Sequence, residues 1–311
     1  MDPGALSVLD TVIQRRDVLI WTSIALFLLS VALDAADRRS QAVQVAGISW
    51  GVFGLFWLAM FPFFYFEFHS PLEGLLSLAG GPLSFYTGYL LISGRDSLLV
   101  LSRAVGLMGV LYLPATTIEP LKTLLIETVA VQTHWGMQLF GYSPGIVEAP
   151  NGYQSMFGFD GYSTYIVLSC TGIGSISIFG GLVAATNAPL SRKARAFLVA
   201  TGVIWVLNIA RNVFVGLAAS LGWFEAPLFQ TLTVTLGSDE LLASYFVSHH
   251  LISQSLSLVA LLGITLLVVR IVPGAVHPLE EVLYVLTGSE YDLEDAFGTP
   301  VRADGGTQRS R

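Results

Sequence analysis

Long apolar runs, each cut by a short polar loop, set the rhythm of the chain. They cover residues 18–36, 43–66, 74–93, 98–118, 171–187, 196–221 and 241–272. Each is near the ~20 residues that an α-helix needs to cross a hydrocarbon core about 30 Å thick, so the pattern predicts seven transmembrane helices. The third is interrupted by Gly80, Gly81 and Pro82. The stretch 119–140 differs: Glu119, Lys122, Glu127 and His134 break its apolar positions, which predicts an interfacial amphipathic helix rather than a span. Between 141 and 161 the helical texture stops. Five glycines, two prolines and the Asn151-Gly152 pair are turn signals there. Tyr162 to Ser169, rich in Tyr, Thr, Ile and Val, reads as a short strand that runs straight into Cys170 and a helix start. The predicted fold is therefore an all-α polytopic membrane protein: about seven transmembrane helices, an interfacial helix, and a small extracytoplasmic loop/strand segment before Cys170. Residues 1–272 form a single transmembrane domain with a motif-bearing core at 119–257, and 273–311 form an acidic, flexible cytoplasmic tail.

Composition agrees with the pattern. Of 311 residues, 53% are hydrophobic and only 12% charged, about half the ~25% usual in soluble domains, so lipid must be the main solvent. A net charge of −7 argues against nucleic acid as a partner. One cysteine, Cys170, excludes a disulfide scaffold. With 13 arginines to 2 lysines and seven acids in the tail, the surface suits a high-salt cytoplasm, where carboxylates stay hydrated.

Basic residues in short loops give the orientation. Arg192, Lys193 and Arg195 mark 188–195 as inside, and Arg38, Arg39, Arg95, Arg270 and the tail share that side by parity. The N-terminus then lies outside, with Arg15 and Arg16 as exceptions. Read instead as a cleaved signal peptide, this start conflicts with the parity of the remaining spans. The segments 67–73, 119–169 and 222–240 face the outside of the cell membrane.

Few residues stand out against so greasy a background. Cys170 enters a helix N-terminus, where unpaired N–H groups and partial positive charge favour thiolate and can hold an oxyanion; its bland reading is a small buried hydrophobe. Cys170, Gly174, Ser177 and Gly181 share a stripe of small residues that lets a neighbouring helix approach closely. Arg211 lies well inside its span, at an insertion cost of at least about 2.5–3.5 kcal/mol, with Asn208 and Asn212 beside it; the bland reading is a structural arginine bonded to carbonyls. Arg103 and Arg270 sit nearer span ends and can snorkel. His249 and His250 open the outer part of the last span. His250, Gln254 and Ser257 recur at i, i+4, i+7, a polar stripe that favours His250 as the inward-facing histidine and leaves His249 as the fallback. A thiol, an intramembrane cation and a histidine sit on the outer half of the last three spans, and thiol chemistry needs these types: a nucleophile, a base or acid, and a cation for developing negative charge.

Together, Ser169-Cys170-Thr171-Gly172-Ile173 before a small-residue helix, Asn208-x-x-Arg211-Asn212 in the next span and His250 in the last resemble the exosortase/archaeosortase family. The resemblance covers about 43–272, its specific motifs lying between 163 and 254. It implies a membrane-embedded cysteine transpeptidase that cleaves a C-terminal sorting signal (a Pro-Gly-Phe motif, a transmembrane helix and a basic tail) from exported surface proteins such as an S-layer glycoprotein, and passes them to a membrane lipid as acyl acceptor. Carried over residue by residue, Cys170 is the nucleophile, Arg211 the oxyanion or thiolate stabiliser and His250 the acid/base, supported by Thr171, Asn208, Asn212 and Gln254. The third position varies across the family, and His250 is its exosortase-like choice. No cofactor or metal enters this chemistry.

Other signals carry less. Gly47-Ile-Ser-Trp-Gly51 matches a hydrolase elbow pattern but opens a span. Glu67, His69 and Glu73 are of metal-ligand type without further fixed partners. Both lysines, Lys122 and Lys193, lie outside the spans, which excludes a retinal Schiff base. The main rival is a small-solute transporter or channel with an Arg211/His250-lined cavity, against which stand the missing inverted repeat and the long outside segment placed just before the cysteine. A scaffold for exported proteins is a third possibility.

Overall fold

A computed structural model describes residues 3–67, 70–236 and 238–293, with side chains from Arg16 onward. The side chain of Arg15, all of His69 and the tail beyond 293 lie outside the described residues. Helices α1 (Pro3–Ala35), α2 (Arg39–Pro62), α3 (Pro71–Ile92) and α4 (Leu99–Thr117) come first, followed by α5 (Glu119–Leu139). A hairpin, β1 (Gly145–Glu148) and β2 (Gln154–Gly158), and a 3₁₀ turn, Leu168–Thr171, lead to α6 (Ile173–Ala185) and α7 (Leu190–Ser220). After α8 (Pro227–Thr235), a single turn α9 (Ala243–Tyr245) and a π-helical stretch Phe246–Ser253 enter α10 (Gln254–Ile271), and α11 (Val276–Thr287) closes the described chain.

Among the described residues, six helical segments are long and apolar enough to cross a membrane: Arg16–Ala35, Arg39–Glu67, Pro71–Ile92, Asp96–Thr117, Leu190–Ser220 and Glu240–Ile271. The seventh run, 171–187, differs. Its helix α6 holds 13 residues, which rise about 20 Å at 1.5 Å each, some 10 Å less than a ~30 Å core. Two local breaks shorten it: Gly172 takes a left-handed φ of 78° at its start, and Thr186 is extended at its end.

The small-residue stripe brings α6 against α4. A Cβ on Gly181 would lie 2.3 Å from the Ala104 carbonyl, and one on Gly180 2.1 Å from Leu111 Cδ1. Phe179, Val183, Ala200, Ile204, Ile264 and Val268 form the core shared by α6, α7 and α10. Helix α5 buries one stripe, Ile126, Val129, Ala130, Thr133 and Met137. Trp205 Nε1 of α7 donates to Gln132 at 2.7 Å, tying the two helices. The strand signal lay in a different place from that expected. The glycine-rich segment supplies the hairpin, with an irregularity at Val147/Glu148. The 162–169 run adds only a single bridge, Tyr165 to Met156. Ser49 of the hydrolase-like pattern is a buried helix-interior serine whose hydroxyl donates to the Val45 carbonyl at 2.7 Å.

The other end of the bundle is charged. Arg39 pairs with Asp96 and Asp34, and Arg103 with Asp34. The start of the tail is a docked helix rather than a free segment. Arg95 bonds Glu281 at 2.9 Å and Glu290 at 2.6 Å, and its guanidinium lies 3.4 Å over the Tyr284 ring.

Candidate active site

Cys170 is the third residue of the Leu168–Thr171 turn and is half-buried. It does not occupy the first turn of α6, as the sequence suggested. Gly172 intervenes, so the helix field, which fades within about a turn, reaches it from outside the helix. The Cys170 N–H is engaged by the Val167 carbonyl at 2.8 Å. Thr171 is buried and bonds inward, its hydroxyl donating to Leu168 O at 2.7 Å. Its Oγ1 also accepts from the Ile173 N–H at 3.4 Å, so it ties the turn to the start of α6.

The turn is gripped from α7. Asn208 Nδ2 donates to the Cys170 carbonyl at 2.6 Å, and Asn212 Nδ2 donates to the same oxygen at 2.9 Å. These residues share a helical face at i and i+4, and Gly172 lets that face come close: its Cβ position is 3.4 Å from Asn208 Cγ. Both lone pairs of a carbonyl that cannot join a helix are thereby satisfied.

Arg211, between the two asparagines, points its Nη2 at His249 Nε2, 3.0 Å away. A guanidinium only donates, so Nε2 accepts and the ring proton sits on Nδ1. Among the described residues, Arg211 Nε is buried with no hydrogen-bond partner. His249 also lines, with Cys170, Asn212, Tyr162 and Tyr245, a cavity of about 210 Å³. His250 is equally buried and packs 4.5 Å, ring to ring, against His249, with Phe246 at 5.5 Å.

The histidine that meets Arg211 is thus His249, where the stripe rule favoured His250. The reason is helical phase. Phe246–Ser253 is π-helical, with i→i+5 bonds and more residues per turn than the α-helix, so both neighbouring histidines are buried, and a count at α-helical spacing does not tell which of them meets Arg211. Gln254, the first residue of α10, bonds Ser70 at 3.3 Å and pins this helix to α3.

Three residues at the site were not singled out for it. Tyr245 stacks on His249, ring centroids 5.0 Å apart; its i, i+4 spacing to His249 was the available signal. Tyr162, on the loop before the cysteine, packs 5.9 Å from Tyr245, and burial raises its phenol above the ordinary range. Glu73, weighed only as a metal ligand, lies near Ser70 and within electrostatic reach of Arg211. A carboxylate inside a span is costly without such company.

The site therefore brings a thiol, a cation and an imidazole pair together within an apolar bundle. The Transmembrane exosortase family model matches residues 17–234. The chain is 40% identical over 310 residues to archaeosortase A of Haloferax volcanii, covering 95% of this chain and 99% of that protein. It is 38% identical over 287 residues to archaeosortase A of Natronomonas pharaonis, covering 88% and 90%. No solved structure matches it.

Proposed function

The chain belongs to the exosortase/archaeosortase family and is a membrane-embedded, cysteine-type sorting transpeptidase; from that premise we propose that Cys170, Arg211 and the His249–His250 pair carry its chemistry. The observation that carries this reading is the shared anchoring of the three elements: α7 holds the Cys170 carbonyl with two asparagines and, from the residue between them, holds His249 with Arg211.

The Cys170 thiolate attacks the scissile carbonyl of a C-terminal sorting signal, made of a Pro-Gly-Phe motif, a transmembrane helix and a basic tail. A C–S bond forms and negative charge grows on the carbonyl oxygen. With the Cys170 N–H already engaged, the Arg211 guanidinium is the cation that meets this charge. The C–N bond breaks, and the leaving amine takes the proton that the histidine pair accepted from the Cys170 thiol when the thiolate formed. The member held against Arg211 is His249; His250 packs directly behind it. The resulting thioester is opened by a membrane lipid, leaving an exported surface protein anchored at the extracytoplasmic face.

Mass spectrometry of a surface protein's C-terminus tests the reading. Cells with only Cys170→Ala retain the signal helix on the substrate, whereas normal processing in that strain overturns it. The transporter reading gains no specific support, because the polar groups converge on one cysteine.

A further inference from the structure

The segment from Tyr162 to Val167 has one backbone edge in use and one open. Its bridge to β2 pairs Tyr165 with Met156. On that edge the Phe157 N–H donates to the Thr164 carbonyl at 2.9 Å, and the Ile166 N–H donates to the Ser155 carbonyl at 3.0 Å. In such a pair the flanking residues carry the bonds and the bridged residues turn their own N–H and C=O away from each other. The Tyr165 N–H and C=O, and the Val167 N–H two residues on, therefore point away from β2. Among the described residues these three groups have no hydrogen-bond partner. A bare strand edge is a template for another strand, and proteins usually blunt one with charge or proline. Tyr162 to Val167 contains neither. Tyr162 and Tyr165 are exposed, so the segment can be reached from outside the bundle. The open edge also leads to the nucleophile. Val167 opens the turn that carries Cys170, and Tyr162 to Val167 form one wall of the cavity of about 210 Å³ that holds Cys170 and His249.

We propose that the substrate backbone just before the cleaved bond adds to this edge as a parallel strand, bonding Tyr165 and Val167, and so delivers the scissile carbonyl to Cys170. The proposal rests on the transpeptidase reading above and adds the docking surface and the bound conformation of the substrate. A peptide carbonyl inside a helix is taken by the N–H four residues on, so the bond under attack lies in unwound chain. The membrane helix of a sorting signal follows the cleaved bond, which leaves the preceding segment as the part able to extend. That segment runs toward its cleaved bond while Tyr162 to Val167 run toward Cys170, so the two chains are parallel. In a parallel ladder one residue's N–H and C=O bond the two residues that flank its partner. Tyr165 thereby holds the substrate backbone at two points. Main-chain bonds supply affinity in this mode, and the side chains that face the cavity supply selectivity.

Tyr165→Pro provides the first test. It removes one donor of the edge, yet the Tyr165 N–H serves no hydrogen bond of the protein's own, and proline is tolerated at such edge positions. The full-length protein in lipid vesicles is given a peptide bearing the sorting signal, and release of the C-terminal segment is followed by mass spectrometry. Tyr165→Ala, which keeps the N–H, is the reference. Tyr165→Pro raises KM about fivefold over that reference, the worth of one net hydrogen bond, while kcat and melting temperature stay near the reference. Equal KM in the two variants overturns the proposal. The second test leaves the protein unaltered and so does not depend on how proline folds at this position. A set of substrates replaces one backbone N–H at a time by an ester oxygen, moving back residue by residue from the cleaved bond. Strand addition gives a period of two: KM rises about fivefold at alternate positions and stays near the all-amide value between them. A flat profile overturns the proposal. So does a rise at every third or fourth position, the spacing of a substrate bound as a helix. Failure of the unaltered protein to release the all-amide substrate, or an unchanged rate in Cys170→Ala, overturns the transpeptidase reading instead.

Discussion

Removing the two asparagines that hold the Cys170 carbonyl gives a non-additive loss. Asn208→Ala and Asn212→Ala each delete one of two hydrogen bonds to the same oxygen, at 2.6 and 2.9 Å. With the partner bond intact, each single change costs about 0.5–1.5 kcal/mol, the net value of one neutral hydrogen bond. The double variant leaves the carbonyl bare beside a bundle core. The orphaned acceptor then adds its desolvation penalty of about 1–3 kcal/mol. The double loss therefore exceeds the sum of the singles, by a coupling within the range of about 0.5–3 kcal/mol for groups sharing one partner. Because the bonds also place the nucleophile, the same pattern appears in turnover. Singles retain roughly a tenth or more of the rate, and the double falls about a hundredfold if some 2.7 kcal/mol is lost at the transition state. Thermal unfolding in detergent and single-turnover cleavage, run on all four proteins, complete the cycle. Strict additivity in both measurements refutes the shared clasp, as does a double variant with unaltered turnover.

Arg211→Lys keeps the charge but loses the fixed fork; turnover drops about tenfold or more while thermal stability changes less, as steady-state cleavage will show. Replacing His249 and His250 together abolishes amine protonation. His249→Ala alone also frees the guanidinium, so its turnover becomes more sensitive to salt than that of His250→Ala. Gly181→Val drives a side chain into the Ala104 carbonyl, 2.3 Å from the Cβ position; overpacking of this kind costs about 1–3 kcal/mol or more, read as a fall in melting temperature. The docked tail helix responds to acid. The hydrogen bond from Arg95 holds the Glu290 carboxyl below its usual range, so its contribution is present above the unfolded carboxylate pKa and is lost as pH falls through the depressed value. Hydrogen exchange in Val276–Thr287 therefore stays slow at neutral pH and quickens only in strong acid.

The sequence made the polar side of the site legible because charge is so scarce in this chain. Arg211 with Asn208 and Asn212 could not sit in lipid without work to do, and a single cysteine beside a small-residue stripe narrowed the rest. What escaped has physical causes. The phase of His249 and His250 is set by a π-helical stretch whose hydrogen bonding no residue pattern announces. The length of α6 is decided by a left-handed Gly172 and an extended Thr186, both within an unbroken apolar run. The hairpin at 145–158 forms within a glycine-rich stretch whose turn signals masked its short strands. Glu73 looked like a loop acid because its helix starts at Pro71, and only the tertiary approach of α3 to α10 through Ser70 and Gln254 brings it near Arg211.

The account stands most directly on the acyl-enzyme. Purified protein mixed with a sorting-signal substrate in vesicles lacking a nucleophilic lipid, then quenched and digested, should yield the Cys170 peptide carrying the mass of the acyl fragment. Hydroxylamine should release that fragment as a hydroxamate. Substrate cleavage without any adduct on Cys170, or at an unaltered rate in Cys170→Ser, contradicts the account.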